Sequence, residues 1–264
     1  MARVIKRLFN QGTKMSQFEL SVIIPVYNEE KRVSKTLEAV FQYLKAKKIK
    51  AEILIVDDGS RDETLKVVGK FKSKSTPRQV LKVLKQPMNR GKGAAVKAGA
   101  LAATGEIVLY MDADNATPLS EFEKFKPAFK KGVDVIVGSR AVDRTQVKVR
   151  QPLYREVIGR IGNIIIQILL VPGISDTQCG FKAFTQKAAK SIFPLQTIER
   201  FGFDVEILFI AKIQGYSILE TSVQWRDDPN TRVNALQDSI RTFTELFIIR
   251  WNDIKGRYSS PKKA

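Results

Sequence analysis

Two aspartates, Asp112 and Asp114, follow the apolar run Glu106 to Met111 (EIVLYM). In an extended chain, residues i and i+2 point to the same side. Two carboxylates so placed repel each other unless a cation holds them, and a hard divalent ion that also binds phosphate oxygens would do so. A short acidic turn alone is a weak signal; its place after an apolar strand strengthens it. Two further apolar runs end in the same way. Leu20 to Val26 (LSVIIPV) stops at Tyr27-Asn28-Glu29-Glu30, and Ala51 to Val56 (AEILIV) stops at Asp57-Asp58-Gly59-Ser60. One acidic strand end is an ordinary solvated loop. Three on one edge point to a site.

The composition narrows the chemistry such a site can do. The chain has no histidine, which excludes histidine-based triads and histidine-ligated zinc. Any metal must sit on oxygen ligands, which suits Mg²⁺ or Mn²⁺. The single cysteine, Cys179, rules out an intramolecular disulfide, fits a reduced compartment, and reads as a small buried residue rather than a nucleophile. Lys and Arg number 45 against 27 Asp and Glu, a formal charge of +18. That excess favours a polyanionic partner: nucleic acid, an anionic membrane face or a phosphorylated substrate. The segment Asn89 to Gly99 (NRGKGAAVKAG) has the spacing of neither a phosphate-binding P-loop nor a dinucleotide fingerprint. Its small residues suit close helix-to-sheet packing, while Arg90 and Lys92 are free to face a ligand.

The elements that must position these groups alternate between strand and helix. After Leu20 to Val26, a helical stripe carries Val33, Leu37, Val40, Phe41 and Leu44. After Ala51 to Val56 comes a helix with Leu65, Val67, Val68 and Phe71. Further strands are expected at Val80 to Leu84, Glu106 to Met111 and Val133 to Val137, with a helix near Leu119 to Phe129. Apolar strands joined by helices predict an α/β fold, a parallel sheet covered on both faces, with ligands beyond the carboxyl ends of the strands. The second half is less regular. Helices are expected near Leu153 to Leu170, Phe203 to Ile213 and Ala235 to Trp251, and a strand at Tyr216 to Trp225. Ser175 to Phe184 (SDTQCGFKAF) carries no element assignment.

The runs SVIIPVYNEE, ILIVDDGSRDET, NRGKGAAVKAGALAATGEIVLYMDAD and VIVGSR resemble family 2 glycosyltransferases of the GT-A (nucleotide-diphospho-sugar transferase) fold. The segments DTQCGFKAF, FGFDVEIL and WRDDPNTRV are similar to the branch that glycosylates polyprenyl phosphates, which includes dolichyl-phosphate mannose synthases and β-glucosyltransferases. The likeness runs from about Leu20 to Trp251. It implies that Pro25, Tyr27 and Glu29 line a base and ribose pocket, and that Ile55 and Asp57 hold the nucleoside with Asp58 nearby. It implies that Asp112, Ala113 and Asp114 form the metal and diphosphate site and that Arg140 sits by the donor. Arg226 and Arg232 match paired basic positions that grip diphosphate in the mannose synthases, where the second is usually Lys. Some relatives carry a metal-ligating Gln two residues after the second Asp; this chain has Ala116, so Asn115, water or donor oxygens must complete the shell.

The reaction this implies is inverting transfer of a hexose from a nucleotide-diphosphate sugar, UDP-glucose in preference to GDP-mannose, to a dolichyl or undecaprenyl phosphate. Charge builds on the departing diphosphate, and a cation on Asp112 and Asp114 together with Arg226 and Arg232 would neutralise it. A lipid monophosphate is already an anion and hardly needs a general base. A hydroxyl acceptor on a sugar, polyol or diacylglycerol would need one. Asp176 is then the candidate, and a loop-capping role for it stands beside that reading. A basic nucleic-acid-binding protein is a third class, but neither a recognition motif nor aromatics interleaved with Lys/Arg accompany the charge.

A lipid acceptor requires a bilayer face. The stretch Ile161 to Ile174 is uncharged but shorter than the ~20 apolar residues of a spanning helix, and the N-terminus has no signal-peptide core. The expectation is therefore a protein without a transmembrane helix, peripheral on the cytoplasmic face of an anionic membrane. Met1 to Phe9 (MARVIKRLF) has the pattern of a short interfacial anchor, alongside the readings of a frayed terminus or a start at Met15. Leu153 to Leu170 and Ala235 to Trp251 are candidates for membrane contact, for core or for a homo-oligomer face. The expected organisation is a basic amphipathic segment at 1–19, one glycosyltransferase domain at 20–251 and a basic tail at 252–264. Within the domain the nucleotide-binding half covers about 20–140 and the acceptor half about 141–251.

Overall fold

The computed structural model describes residues 16–143, 145, 147–149, 164–226 and 235–259, with backbone alone at 147–149 and 235–243. The segment Met1 to Phe9, residues 153–163, Arg232 and the last residues of the tail lie outside the described residues.

Nine strands are described: β1 (Leu20–Val26), β2 (Ala51–Asp57), β3 (Gln79–Lys85), β4 (Ile107–Met111), β5 (Val135–Ser139), β6 (Val147–Val149), β7 (Phe181–Thr185), β8 (Ile218–Ser222) and β9 (Trp225–Arg226). The α-helices are α1 (Val33–Ala46), α2 (Thr64–Gly69), α3 (Lys92–Ala102), α4 (Lys126–Lys130), α5 (Gln186–Ile192), α6 (Phe203–Ile213) and α7 (Ala235–Ile254). Residues 164–169 are also helical. Seven strands form one sheet in the order β3-β2-β1-β4-β7-β5-β8, and β6 pairs with β9 in a small second sheet. The large sheet is mostly parallel, with β7 antiparallel to both β4 and β5.

Strand alternation divides the core between the two faces of the sheet. Val22 and Ile24 of β1, Ile53 and Ile55 of β2, and Leu109 of β4 pack with Val33, Leu37 and Val40 of α1 and with Phe122 and Phe125. Their neighbours Ile23, Leu54, Val56, Val108 and Tyr110 pack on the other face with α3, α5, α6 and α7. β1, β2 and β4 are thus apolar at nearly every position because both of their faces are covered, whereas the edge strand β3 (QVLKVLK) is not. The close approach of α3 requires its glycines. A methyl group at Gly99 would overlap Ile23, and one at Gly93 would overlap Phe203 and the Ile198 carbonyl. The small residues of NRGKGAAVKAG serve the packing role expected of them.

The sequence pattern placed most first-half elements within a residue or two. The stretch Leu119 to Phe129 is instead a 3₁₀ turn (Leu119–Lys124) followed by α4, whose Pro127 lies in its first turn, where a missing N–H costs nothing. Tyr216 to Trp225 resolves into β8 and β9 rather than one strand. The larger difference is β7 with α5 behind it, formed where no element was expected. Among the described residues, no helix is long and apolar enough to cross a membrane.

Candidate functional site

The carboxyl ends of β1, β2, β4 and β5 lie along one edge of the sheet, because these strands run parallel; β7 begins at that edge, because it runs the other way. The loops after β1 and β2 are knitted together. Asn28, at φ 55°, donates its backbone N–H to Ser60 Oγ at 2.9 Å, and its side-chain oxygen accepts from Arg61 N–H at 2.8 Å. Glu29 N–H donates to Thr64 Oγ1 at 2.7 Å, and the Glu29 carboxylate takes a two-pronged bond from Arg32 at 2.6 and 2.7 Å.

The two aspartates after β2 are both buried but do different work. Asp57 accepts from Ser60 N–H at 3.2 Å, within its own turn. Asp58 reaches across to the segment that leads into α3 and accepts from Arg90 N–H at 2.9 Å and Gly91 N–H at 2.8 Å. Burial lifts the Asp58 carboxyl above the usual range, against the pull of those two N–H groups. Gly91 sits at φ 119°, a left-handed conformation that admits glycine readily. Asp58 therefore fixes where α3, and hence Lys92, begins. Of the pocket residues implied by resemblance, Tyr27 and Pro25 are half-buried at the same edge, while the Ile55 side chain is wholly inside the core facing α1.

Asp112 and Asp114 follow β4 as expected. Lys92, the first residue of α3, places its ammonium 2.6 Å from Asp112 Oδ1. Burial works against that charge, yet Asp112, Asp204 and Asp114 hold the Lys92 amine above the usual lysine range. Asp114 Oδ1 accepts from Ala116 N–H at 2.9 Å. Burial first, and the Asp112 charge second, push the Asp114 carboxyl up to about 6. The loop is pinned from α1, where the buried Thr36 hydroxyl donates to the Ala113 carbonyl at 2.5 Å. Asn115 is left-handed at φ 57°, and its side-chain Oδ1 is buried without a hydrogen-bond partner. The two carboxylates, and the unsatisfied Asn115 oxygen beside them in sequence, are all oxygen donors of the kind a hard divalent cation takes. No group of three or more acidic or thiol ligands gathers anywhere among the described residues, so any such cation must draw further ligands from elsewhere.

Arg140, just beyond β5, and Asp176 face each other. The guanidinium donates from Nε to Oδ2 and from Nη2 to Oδ1, both at 2.7 Å, and the Arg140 N–H also donates to Oδ2 at 2.9 Å. Asp176 is further anchored by its own N–H, which donates to Glu220 at 2.8 Å. Burial raises the Asp176 carboxyl, but the Arg140 charge and bonds outweigh it and hold the group below the ordinary aspartate range. The same guanidinium stacks 5.3 Å from the Trp225 ring centre. Arg226 is exposed, and its N–H donates to the Ala116 carbonyl at 3.0 Å. That bond brings β9 beside the loop that carries Asp114. Cys179 is buried, and burial pushes its thiol up to about 12, which leaves it unreactive at neutral pH.

Sequence reasoning missed the residues beneath Asp112. The antiparallel register sets Lys182 of β7 opposite Tyr110 of β4. Two residues further along, Gly180 faces Asp112 so closely that a methyl group there would overlap the carboxylate. Lys182, Tyr110 and Asp204 of α6 are all buried. The Lys182 ammonium and the Tyr110 hydroxyl both donate to Asp204 Oδ1, and Lys182 also donates to the Cys179 carbonyl at 2.8 Å. The signal was present: a lysine between two phenylalanine-bearing positions (FKAF) is out of place in an apolar strand unless it is paired.

The profile of "Glycosyl transferase family 2" matches residues 21–193. A dolichyl-phosphate beta-glucosyltransferase of Trichomonas vaginalis is 40% identical over 80% of this chain and 67% of its own length. One of Dictyostelium discoideum is 38% identical over 90% of this chain and 75% of its own. Among solved structures, mannosyl-3-phosphoglycerate synthase of Rubrobacter xylanophilus superposes with a TM-score of 0.66 at 16% identity, covering 99% of this chain and 80% of that one. Glucosyl-3-phosphoglycerate synthase of Mycobacterium tuberculosis, solved with Mn²⁺, UDP and phosphoglyceric acid, superposes at 0.63 and 17%, covering 93% and 80%. The chain belongs to glycosyl transferase family 2. It is a glycosyltransferase, built on the GT-A fold.

Proposed function

We propose that this chain transfers glucose, with inversion, from UDP-glucose to a polyprenyl phosphate of the dolichyl type at a membrane surface. Relatives of that name, at 32–40% identity over most of the chain, support the acceptor class and the sugar. The structural observation that carries the reading is the commitment of Asp176. Both of its oxygens are occupied by Arg140, so it serves as a clamp for that arginine rather than as a proton acceptor. A hydroxyl acceptor would need a free base. A phosphate monoester arrives already ionised and needs a positive, well-shaped approach instead.

In this reading Asp112 and Asp114, assisted by the Asn115 side-chain oxygen, hold Mg²⁺ or Mn²⁺, which would neutralise charge on the diphosphate. Lys92 adds a fixed positive charge at the same place, and its ion pair with Asp112 exchanges for the diphosphate when donor binds. Arg226, and Arg232 from outside the described residues, close over the leaving group. Arg140, held planar between Asp176 and Trp225, borders the sugar. Tyr27, Glu29 and Asp57 bound the nucleoside pocket, with Pro25, Asp58 and the Ile55 backbone supporting its walls.

The membrane setting rests on α7. Phe247, Ile248, Trp251 and Ile254 are all exposed at helical spacing, with the exposed Arg250 and Lys255 alongside. Ile164, Ile168 and Leu169 form a second exposed apolar patch. With a net charge of +18, such surfaces suit the anionic cytoplasmic leaflet. The domain limits follow the same division, with the donor half at about 20–140 and the acceptor half at about 141–251.

The test is direct. UDP with Mn²⁺ should raise the melting temperature and GDP with Mn²⁺ should not. Labelled UDP-glucose should then pass its sugar to extracted polyprenyl phosphates. Transfer to a diacylglycerol or sugar hydroxyl, with none to lipid phosphate, would overturn the acceptor class.

A further inference from the structure

A buried lysine–aspartate pair is weak evidence for stability. Removing two charges from water costs several kcal/mol, and well-packed apolar side chains of equal volume often serve the fold as well or better. The Lys182–Asp204 pair sits among Tyr110, Phe184 and Phe203 on the α3 and α6 face of the sheet, where an apolar pair would pack without penalty. The question is what the charges do there that methyl groups would not.

Each partner of the pair ends on a segment that touches Asp112. Asp204 takes the hydroxyl of Tyr110, two residues upstream of Asp112 on β4. The Lys182 ammonium takes the Cys179 carbonyl at 2.8 Å, and the next residue, Gly180, is the wall against which the Asp112 carboxylate lies. We propose that Lys182, anchored by Asp204 and Tyr110, is a positioning residue for the donor site: it holds the Cys179–Gly180 turn so that Asp112 is presented to the cation and diphosphate in one orientation. An apolar substitute would fill the volume but release that carbonyl, and the turn would lose its register against Asp112. This inference rests on the reading of Asp112 as a donor-site ligand.

The test pairs Lys182→Met with Asp204→Asn, which removes both charges while leaving an acceptor for the Tyr110 hydroxyl. The purified full chain is measured three ways: melting temperature, the upward shift produced by UDP with Mn²⁺, and the Mn²⁺ concentration giving half-maximal turnover of UDP-glucose. The expected result is a parent-like melting temperature, a UDP–Mn²⁺ shift less than half that of the parent, and a half-saturating Mn²⁺ concentration raised by about tenfold or more. A purely structural pair would lower the melting temperature and leave the Mn²⁺ dependence of the folded fraction unchanged, and that result overturns the inference. Should the double variant not fold, Tyr110→Phe decides. It deletes one hydroxyl from the network, and a raised Mn²⁺ requirement at an unchanged melting temperature supports the role, while parent-like Mn²⁺ dependence overturns it. If the parent chain shows no UDP–Mn²⁺ shift, the donor reading itself has failed, which is a separate outcome from parent and variants shifting alike.

Discussion

The two halves of the molecule use their carboxylates differently. In the first half, the acids at the site edge bond mainly to nearby backbone N–H groups or stand close to one another, although Lys92 meets Asp112 and Arg32 meets Glu29. Asp57 closes its own turn, Asp58 holds the segment leading into α3, and Asp112 and Asp114 lie close enough that one raises the other's pKa. In the second half, two buried acids beside the site are taken up by cations from other elements: Asp176 by Arg140 and Asp204 by Lys182. The first arrangement leaves negative charge available at the edge for a ligand to satisfy. The second builds rigid walls around it. A site that must bind a cation and two anions needs both, because unspent charge is useful only where the surroundings cannot move to quench it.

The largest expected effect breaks the first half. Replacing Asp112 and Asp114 together with Ala should lower sugar transfer by about 10³-fold or more under saturating Mn²⁺. The ligand-free chain should still fold, because relief of the repulsion between the two carboxylates offsets the partner that Lys92 loses. Loss of folding with loss of activity would mean these carboxylates are walls like those of the second half.

The next test compares an ion pair from each half. Arg140→Ala strands the buried Asp176 and should cost about 3 kcal/mol in urea unfolding, the scale for breaking a buried pair. Arg32→Ala, which frees Glu29 at the partly exposed edge of the first half, should cost about 1 kcal/mol or less. Equal costs would erase the distinction. Adding Asp176→Asn to Arg140→Ala should recover much of the loss, since the uncompensated charge is then gone.

This contrast also explains what could be read from the sequence. The first half is a run of local units, each a buried strand, a polar turn and an amphipathic helix. Val33, Leu37, Val40 and Leu44 mark α1 by spacing alone, and the acids at the ends of β1, β2 and β4 mark the edge. The second half depends on pairings between distant residues. Nothing near Phe181 announces that β7 inserts antiparallel between β4 and β5, so the opposition of Gly180 to Asp112 and of Lys182 to Tyr110 was not legible. Asp176 was found as a candidate base because its partner, 36 positions away, could not be seen. The lone signal that could have exposed the second half was polar residues inside apolar runs, Lys182 in FKAF and Asp204 in FGFDVEIL.

A smaller effect sharpens the role given to Asp58. Asp58→Ala leaves the Arg90 and Gly91 N–H groups without acceptors and should cost about 2 kcal/mol. It should also raise the KM for UDP-glucose more than it lowers kcat, because Lys92 begins the helix those bonds position. A kcat loss alone, at unchanged KM, would place Asp58 among the groups that act in the transition state.

The smallest effect concerns a first-half carboxylate that behaves like those of the second. Glu52 is fully buried at the opposite edge of the sheet and accepts from the Ser21 hydroxyl, the Thr104 N–H and hydroxyl, and the Lys82 ammonium. Burial pushes its pKa up, but these four bonds together outweigh it and bring the group below the ordinary glutamate value of 4.5. A folded pKa below the unfolded one means that the stabilisation is fully present above about 4.5 and fades as pH falls through the folded value. Glu52→Gln keeps the shape but loses the charge, and should cost about 1–2 kcal/mol at pH 7. The gap between parent and variant should then narrow as unfolding is measured from pH 5 downward. A gap that stays constant across that range would show that Glu52 contributes shape and neutral hydrogen bonds only, and that the cluster gains nothing from its charge.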